Sequence, residues 1–200
     1  MAHYEKRIMK KYVLGIAGHI ASGKTTVGKY LQKLGAEYID ADQVVDQLYG
    51  RGQDGYRKIF SFFGEEYFKK DGELNRHKLA KVVFGDPKKL RILHDLIHPL
   101  VTSSIQKLVD KSAAKVIVIE ATYFEKKHLR KLISGLLWLE CPKELLFKRL
   151  SKTSKPDRKL FERIYRIQVK PDQIDFVLTN AGTKPALQKE VKKVWKSIAG

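Results

Sequence analysis

The sequence is poor in cysteine and has no long uncharged apolar run. Its one cysteine, Cys141, excludes an internal disulfide framework and any metal site that needs several cysteines. No stretch reaches the roughly 18 apolar residues of a membrane span, and the first twelve residues lack the apolar core of a secretory signal. We therefore expect a cytoplasmic protein with no membrane partner, in which Cys141 is a small buried residue at a strand end.

Acidic residues are also scarce, since 22 Asp and Glu stand against 40 Lys and Arg, for a formal net charge of +18. Such an excess creates a positive field that favours anionic partners. The basic residues are nevertheless spread through the chain and are not interleaved with aromatic residues in the pattern that stacks nucleic-acid bases. We therefore expect an anionic small molecule as the partner, and we do not expect nucleic acid.

Five short apolar runs are typical of buried strands, and helix-like segments separate them. The runs are Tyr12–Ala17, Ala36–Ile39, Val116–Ile119, Leu136–Leu139 and Phe176–Leu178. Strands that alternate with helices indicate a parallel sheet covered on both faces. At 200 residues and 43% hydrophobic content, the sequence predicts a single α/β domain over residues 1–200.

Two segments depart from a simple alternation of strands and helices. The segment of about residues 43–115 is too long for one crossover and has helical periodicity, so it is predicted to be an inserted helical lobe. Within this lobe, we expect Pro99 to kink a helix or to start a new one. Residues of about 148–168, the lid segment, are basic, with Ser, Thr and Pro at their centre. We expect the lid segment to be a mobile helical hairpin that closes over bound phosphates. Its arginines are Arg149, Arg158, Arg163 and Arg166.

The stretch "GHIASGKT" fits the phosphate-binding pattern G-x-x-x-x-G-K-[ST] between an apolar run and a helix-like one. In such a loop, backbone N–H groups surround an anion at the start of a helix. We expect Lys24 to reach the β- and γ-phosphates of a nucleotide and the Thr25 hydroxyl to hold Mg2+. The predicted nucleotide-binding residues are Ala21, Ser22, Gly23, Lys24, Thr25 and Thr26.

The stretch "YIDAD" supplies two carboxylates at the end of the second predicted strand, where open α/β sheets build their sites. A phosphoryl acceptor needs its hydroxyl oriented and its proton accepted, and a carboxylate can do both. We expect Asp42 to be this base and Asp40 to contribute to substrate binding. An N-cap role for one of the two remains the alternative.

The sequence resembles the dephospho-CoA kinase family over nearly its whole length. The resemblance runs through "GHIASGKTTVGKYLQKLGAEYIDAD", "FGEEYFKKDGELNRHKLAKVVF", "LHDLIHPLV" and "ERIYRIQ", and "DGELNR" followed by "IHP" is its most selective part. It implies an α/β P-loop NTPase fold with three layers and a five-stranded parallel sheet. Gln168 and Asn180 match family positions near the nucleotide.

The resemblance also implies an activity, the ATP- and Mg2+-dependent phosphorylation of the ribose 3'-hydroxyl of dephospho-CoA. Asp42 then matches the catalytic base, and Arg149 matches a lid arginine that acts with Lys24 in catalysis. Arg76 and His98 fall in the helical lobe, on the side that binds the CoA substrate. We expect a monomer or a weak homo-oligomer.

The sequence departs from the family pattern in several places. Ala121 replaces a proline after the third strand, and an arginine that usually follows the two aspartates is absent from residues 43–49. The loop has His19 and Ala21 where family loops tend to have glycine, and we assign His19 no catalytic role. Glu120 is an additional carboxylate at a strand end and a candidate partner for a Mg2+-bound water.

Two other readings of the sequence stay open at this point. A different small-molecule P-loop kinase, for nucleosides or nucleoside monophosphates, would share the loop, base and lid but would not need the "DGELNR" and "IHP" segments. A basic, RNA-associated NTP switch is suggested by the charge, although it has no use for paired carboxylates opposite the γ-phosphate.

Overall fold

The computed structural model describes residues 11–122, 124, 128–152 and 157–200. Its centre is a five-stranded parallel sheet with the strand order β2-β3-β1-β4-β5. The strands are β1 (Tyr12–Gly18), β2 (Glu37–Asp40), β3 (Val116–Glu120), β4 (Gly135–Glu140) and β5 (Phe176–Thr179). Each lies within two residues of an apolar run in the sequence, and the predicted α/β fold with a parallel sheet is confirmed.

The three central strands are buried on both faces of the sheet. Every residue of β3 is buried, as are the residues of β1 after Tyr12. This pattern requires helices on both sides, because successive side chains of a strand point to opposite faces. The order of the strands also places the end of β1 between β3 and β4, so the segment that leaves β1 emerges at the middle of the sheet.

Eight α-helices accompany the sheet in the described part of the chain. They are α1 (Lys24–Lys33), α2 (Ala41–Leu48), α3 (Asp54–Phe63), α4 (Arg76–Gly85), α5 (Pro87–Lys111), α6 (Lys143–Leu150), α7 (Arg158–Ile167) and α8 (Lys184–Ala199). Helices α1 and α8 cover one face of the sheet, and the core between them contains Leu14, Leu137 and Val191. No helix among the described residues is both long enough and apolar enough to cross a membrane.

The chain divides into two compact units. Residues up to Ile39 together with Ser112–Gly200 form the unit that holds the sheet, and Asp40–Lys111 form a helical unit. Within the helical unit, α5 packs against α2, α3 and α4. Of the two expectations for Pro99, the start of a new helix is wrong, because α5 continues through this residue, and a kink at Pro99 stays a prediction. The Thr102 hydroxyl donates a hydrogen bond to the His98 carbonyl (2.9 Å) in this turn.

The lid segment contains the last turns of α6 and all of α7. The two helices are in contact through aromatic side chains, since the rings of Phe147 and Phe161 meet edge to face with 5.3 Å between their centres. The Ser, Thr and Pro residues that the sequence places at the centre of the segment fall largely on residues 153–156, which lie outside the described residues.

Candidate functional site

The loop between β1 and α1 has the backbone that its glycines predict. Gly23 has φ of 99°, and a Cβ atom added there would collide with the side-chain amide of Asn180. Ala21 also lies in the left-handed region, with φ of 60°, although it carries a side chain. Helix α1 begins directly after Gly23, so the N–H groups of its first turn and the positive end of its dipole lie at the loop.

The side chain of Lys24 folds back over this loop. Its ammonium group donates hydrogen bonds to the carbonyl oxygens of Gly18 and His19, each at 3.1 Å. The loop backbone thereby holds a positive charge above the N-terminus of α1. Backbone donors and a fixed ammonium group at one helix terminus form a site for a phosphate chain.

Four polar side chains are buried among the described residues, and all of them belong to the loop, contact it or contact the first turn of α1. They are Ser22, Glu120, Gln168 and Asn180. Gln168 accepts a hydrogen bond from the backbone N–H of Ile20 (2.7 Å), and Asn180 donates one to the carbonyl of Ser22 (2.7 Å). Because a buried polar group is costly unless it is hydrogen-bonded, these contacts fix the shape of the loop.

Arg149, at the end of α6, contacts the same loop in the sheet unit. Its guanidinium group donates hydrogen bonds to the backbone and side-chain oxygens of Asn180 (2.9 and 3.3 Å) and to the Ser22 carbonyl (3.4 Å). Arg149 thus brings a second fixed positive charge to the loop that carries Lys24. Arg158, another arginine of the lid segment, binds the carboxylates of Glu144 and Glu162 instead.

Glu120 lies at the end of β3, next to the first turn of α1. Its Oε1 accepts a hydrogen bond from the Thr25 hydroxyl (3.0 Å), and its Oε2 accepts one from the Tyr38 hydroxyl. Glu120 is 8% exposed, so its carboxylate is held among these donors inside the unit. Sequence reasoning singled out Thr25 and Glu120 separately but missed Tyr38, which lies 82 residues before its partner.

A cavity of about 480 Å³ opens beside the loop in the sheet unit. It is lined by loop residues, by Glu120 and Arg149, and by Gly182, Lys184 and Leu187 near the start of α8. Its volume is in the range of small-molecule sites. Its walls combine backbone donors and cations at one end with the apolar side chain of Leu187 elsewhere, which suits a nucleotide.

His19 and Cys141 take structural positions around the loop. The His19 ring stacks on Tyr165, with 4.1 Å between ring centres, and burial, followed by the charge of Lys24, lowers the pKa of His19 below its usual value. Cys141 is half-buried and its Sγ accepts a hydrogen bond from Arg149 (3.4 Å), so the expectation of a buried residue is wrong. Burial raises the pKa of the Cys141 thiol, against the smaller opposite effect of Arg149.

The two aspartates of "YIDAD" take different positions at the start of α2. Asp40 is the N-cap of this helix, because its Oδ1 accepts hydrogen bonds from the backbone N–H groups of Asp42 (2.9 Å) and Gln43 (3.4 Å). Asp42 lies in the first turn, where it is exposed. The N-cap alternative therefore holds for Asp40, and a catalytic role for Asp42 stays a prediction.

The selective "DGELNR" segment builds a turn within the helical unit. Leu74 is buried and bridges to Phe68, and Asn75 caps α4 by accepting a hydrogen bond from the Lys78 N–H (3.0 Å). Arg76 then forms an ion pair with the Asp46 carboxylate and donates a hydrogen bond to the Asp46 carbonyl (3.1 Å).

His98 lies elsewhere in the helical unit, on α5. Its ring lies against that of His94, with 3.4 Å between ring centres. A role of Arg76 or His98 in substrate binding stays a prediction.

Comparison with known proteins gives a consistent family. The sequence model described as dephospho-CoA kinase matches residues 12–185. A dephospho-CoA kinase from Lactobacillus johnsonii is 32% identical over 196 residues, which cover 94% of this chain and 98% of the relative. One from Aquifex aeolicus is 30% identical over 190 residues, covering 92% of this chain and 96% of the relative.

Solved structures agree with the fold. A crystal structure from Thermus thermophilus has a TM-score of 0.80 at 26% identity and covers 95% of this chain and 99% of that one. A dephospho-CoA kinase from Campylobacter jejuni has a TM-score of 0.67 at 25% identity, with 94% and 97% covered. A shikimate kinase from Bacteroides thetaiotaomicron, at 12% identity and a TM-score of 0.53, shares the fold alone.

Proposed function

The chain belongs to the dephospho-CoA kinase family, and we propose that Lys24, Arg149 and Asp42 carry its phosphate transfer. The chain is an ATP-dependent dephospho-CoA kinase, which phosphorylates the ribose 3'-hydroxyl of dephospho-CoA in the final step of coenzyme A biosynthesis.

The observation that carries the proposal is the pair of fixed cations at the loop. Lys24 and Arg149 are both hydrogen-bonded to loop carbonyl groups, at the N-terminus of α1. Phosphoryl transfer is accelerated chiefly by positioning and by stabilisation of charge on the transferring group. We assign Lys24 to the β- and γ-phosphates and Arg149 to the charge that develops on the γ-phosphate. The N–H groups from Ala21 to Thr26 hold the rest of the chain of phosphates.

Asp42 is the proposed base for the ribose 3'-hydroxyl. Its support is its exposed position in the first turn of α2, directly after β2. A carboxylate that accepts the hydroxyl proton aligns the oxygen for attack, and it takes the proton as the new bond to the γ-phosphorus forms and the bond from that phosphorus to the departing ADP breaks. Arg76 and His98, in the helical unit, are proposed to bind the CoA part of the acceptor.

The residues around Thr25 fit a Mg2+ ion. A hydroxyl group and a buried carboxylate oxygen lie 3.0 Å apart, and Mg2+ takes oxygen ligands. We propose that Thr25 contributes a ligand and that Glu120 holds a metal-bound water. The ion, when bound, neutralises charge on the β- and γ-phosphates. A cytoplasmic location and a monomeric or weakly associating state complete the proposal.

A phosphate-transfer assay tests this proposal. ATP labelled at the γ-phosphate is offered with dephospho-CoA, AMP or cytidine, and we expect 3'-phosphorylated product from dephospho-CoA alone. Lys24→Ala is the matched variant, because Lys24 contacts the loop backbone and contributes nothing to the core, so the folded protein should lose transfer. Transfer to AMP or cytidine but not to dephospho-CoA would contradict the proposed acceptor, and a folded Lys24→Ala protein with normal turnover would contradict the role of the loop.

A further inference from the structure

Tyr38 connects three elements of the sheet unit at one point. It lies in β2, its hydroxyl donates a hydrogen bond to Glu120 at the end of β3, and its ring lies against Gly28 of α1. A Cβ atom added at Gly28 would collide with this ring. The position of the Tyr38 hydroxyl is therefore set by close packing on α1, the helix whose first turn carries Thr25.

Glu120 is oriented by this hydroxyl and by that of Thr25. Each carboxylate oxygen accepts one of the two hydrogen bonds, Oε1 from Thr25 and Oε2 from Tyr38. A carboxylate that is 8% exposed is costly unless such donors replace water, so loss of either donor weakens the hold on its orientation.

The direction of the Thr25 proton has a chemical consequence. A hydroxyl group has one proton to donate and two lone pairs that accept. In this structure the proton of Thr25 is donated to Glu120, which leaves the lone pairs for other partners. A hydroxyl in this state is ready to bind a cation, because it needs no reorientation when the cation arrives.

We propose that Tyr38 is a positioning residue that sets the Mg2+ requirement of nucleotide binding, acting through Glu120 on the Thr25 hydroxyl. The proposal rests on the proposed function only in assigning the Mg2+ ion to Thr25. Tyr38 itself does not contact the ion or the nucleotide; it keeps the Glu120 carboxylate turned so that Oε1 meets Thr25.

Tyr38→Phe isolates this role, because the ring that packs on Gly28 stays and only the hydroxyl is removed. ADP binding is measured by calorimetry as a function of Mg2+ concentration. We expect the half-saturating Mg2+ concentration to rise about 10-fold, as for other residues that orient metal ligands, while ADP affinity without Mg2+ stays unchanged. Tyr12→Phe is the control, since Tyr12 is the first residue of β1, at the end of the strand opposite the loop, and should leave the Mg2+ dependence unchanged.

A double variant separates positioning from a general loss of stability. If Tyr38 acts only through Glu120, the half-saturating Mg2+ concentration for ADP binding should be the same in the double variant Tyr38→Phe, Glu120→Gln as in Glu120→Gln alone. Additive effects, or a Mg2+ dependence of Tyr38→Phe equal to that of Tyr12→Phe, would overturn the proposal. Because ADP binding needs no acceptor, this result is independent of whether the wild-type protein phosphorylates dephospho-CoA.

Discussion

At the scale of single residues, Ala21 is the strained position of the phosphate-binding loop. It is the one non-glycine residue with positive φ in the described part of the chain. A left-handed conformation costs a residue with a Cβ atom roughly 1–2 kcal/mol, and glycine avoids this cost but loses more entropy on folding. We therefore predict that Ala21→Gly raises the free energy of unfolding by about 1 kcal/mol, measured by urea denaturation.

Ala80→Gly provides the control for this prediction. Ala80 lies inside α4, where glycine lowers the free energy of unfolding by about 1 kcal/mol. The two Ala-to-Gly variants should therefore shift the urea midpoint in opposite directions. A destabilised Ala21→Gly protein would show that the loop backbone is not strained.

The sequence predicts some residues of the site better than others. Lys24 and Thr25 lie within one continuous motif whose spacing is fixed by local geometry, and the structure places both at the start of α1. The supporting contacts join distant segments, as between Ile20 and Gln168, which are 148 residues apart. Tyr38 escaped prediction for the same reason, because nothing in "EYID" indicates which buried carboxylate its hydroxyl meets.

At the scale of elements, two ion pairs connect α6 to α7, Arg158 with Glu144 and Lys143 with Glu162, and they lower the pKa values of the two carboxyl groups. The hydrogen bond from Arg158 lowers the pKa of Glu144, and that from Lys143 lowers the pKa of Glu162, from an ordinary value of 4.5. Their contribution to stability is complete above pH 4.5 and is lost as the pH falls through the lower values of the folded protein. We predict that Glu144→Gln has a lower melting temperature than wild type at neutral pH, by a small margin that vanishes in acid. A difference in melting temperature that does not change with pH would contradict a stabilising role of the ion pair.

The helical unit gives a second prediction at this scale, on the role of Arg76. If Arg76 binds the CoA part of the acceptor, Arg76→Ala should raise the KM for dephospho-CoA several-fold more than the KM for ATP, as measured by steady-state kinetics. Asp46→Ala is the matched control, because it breaks the same exposed ion pair, which contributes at most about 1 kcal/mol, and leaves the arginine in place. Equal kinetic effects of the two variants would mean that Arg76 acts only through the ion pair.

The elements themselves were largely predictable. Each buried strand is a short apolar run bounded by polar residues, and the structure extends these runs by only one or two residues. A new helix at Pro99 was one of two expectations because the sequence shows the missing N–H group but not the packing around the helix. In α5 the buried residues Ile97, Val101 and Ile105 continue on one face across the proline, and their burial outweighs one lost hydrogen bond.

At the scale of the whole molecule, the net charge of +18 affects how anionic substrates arrive. A positive field raises association rates of anions at low ionic strength and is screened within about 10 Å at 0.1 M salt. We predict that kcat/KM for dephospho-CoA falls several-fold between about 0.02 and 0.3 M NaCl, while kcat changes little. Steady-state kinetics at each salt concentration, with sucrose as the osmotic control, check this, and a kcat/KM that does not change with salt would show that the charge does not steer the substrate.

One comparison of turnover tests whether Asp42 activates the acceptor hydroxyl for transfer from a nucleotide held by the loop. Asp42→Asn and Asp40→Asn are measured at saturating dephospho-CoA and Mg-ATP. Asparagine at position 40 still caps α2, so that variant should keep most of its turnover. Asp42→Asn cannot accept the proton, so its turnover should fall about a hundredfold to ten-thousandfold with ATP affinity little changed. Full turnover in Asp42→Asn would contradict the account.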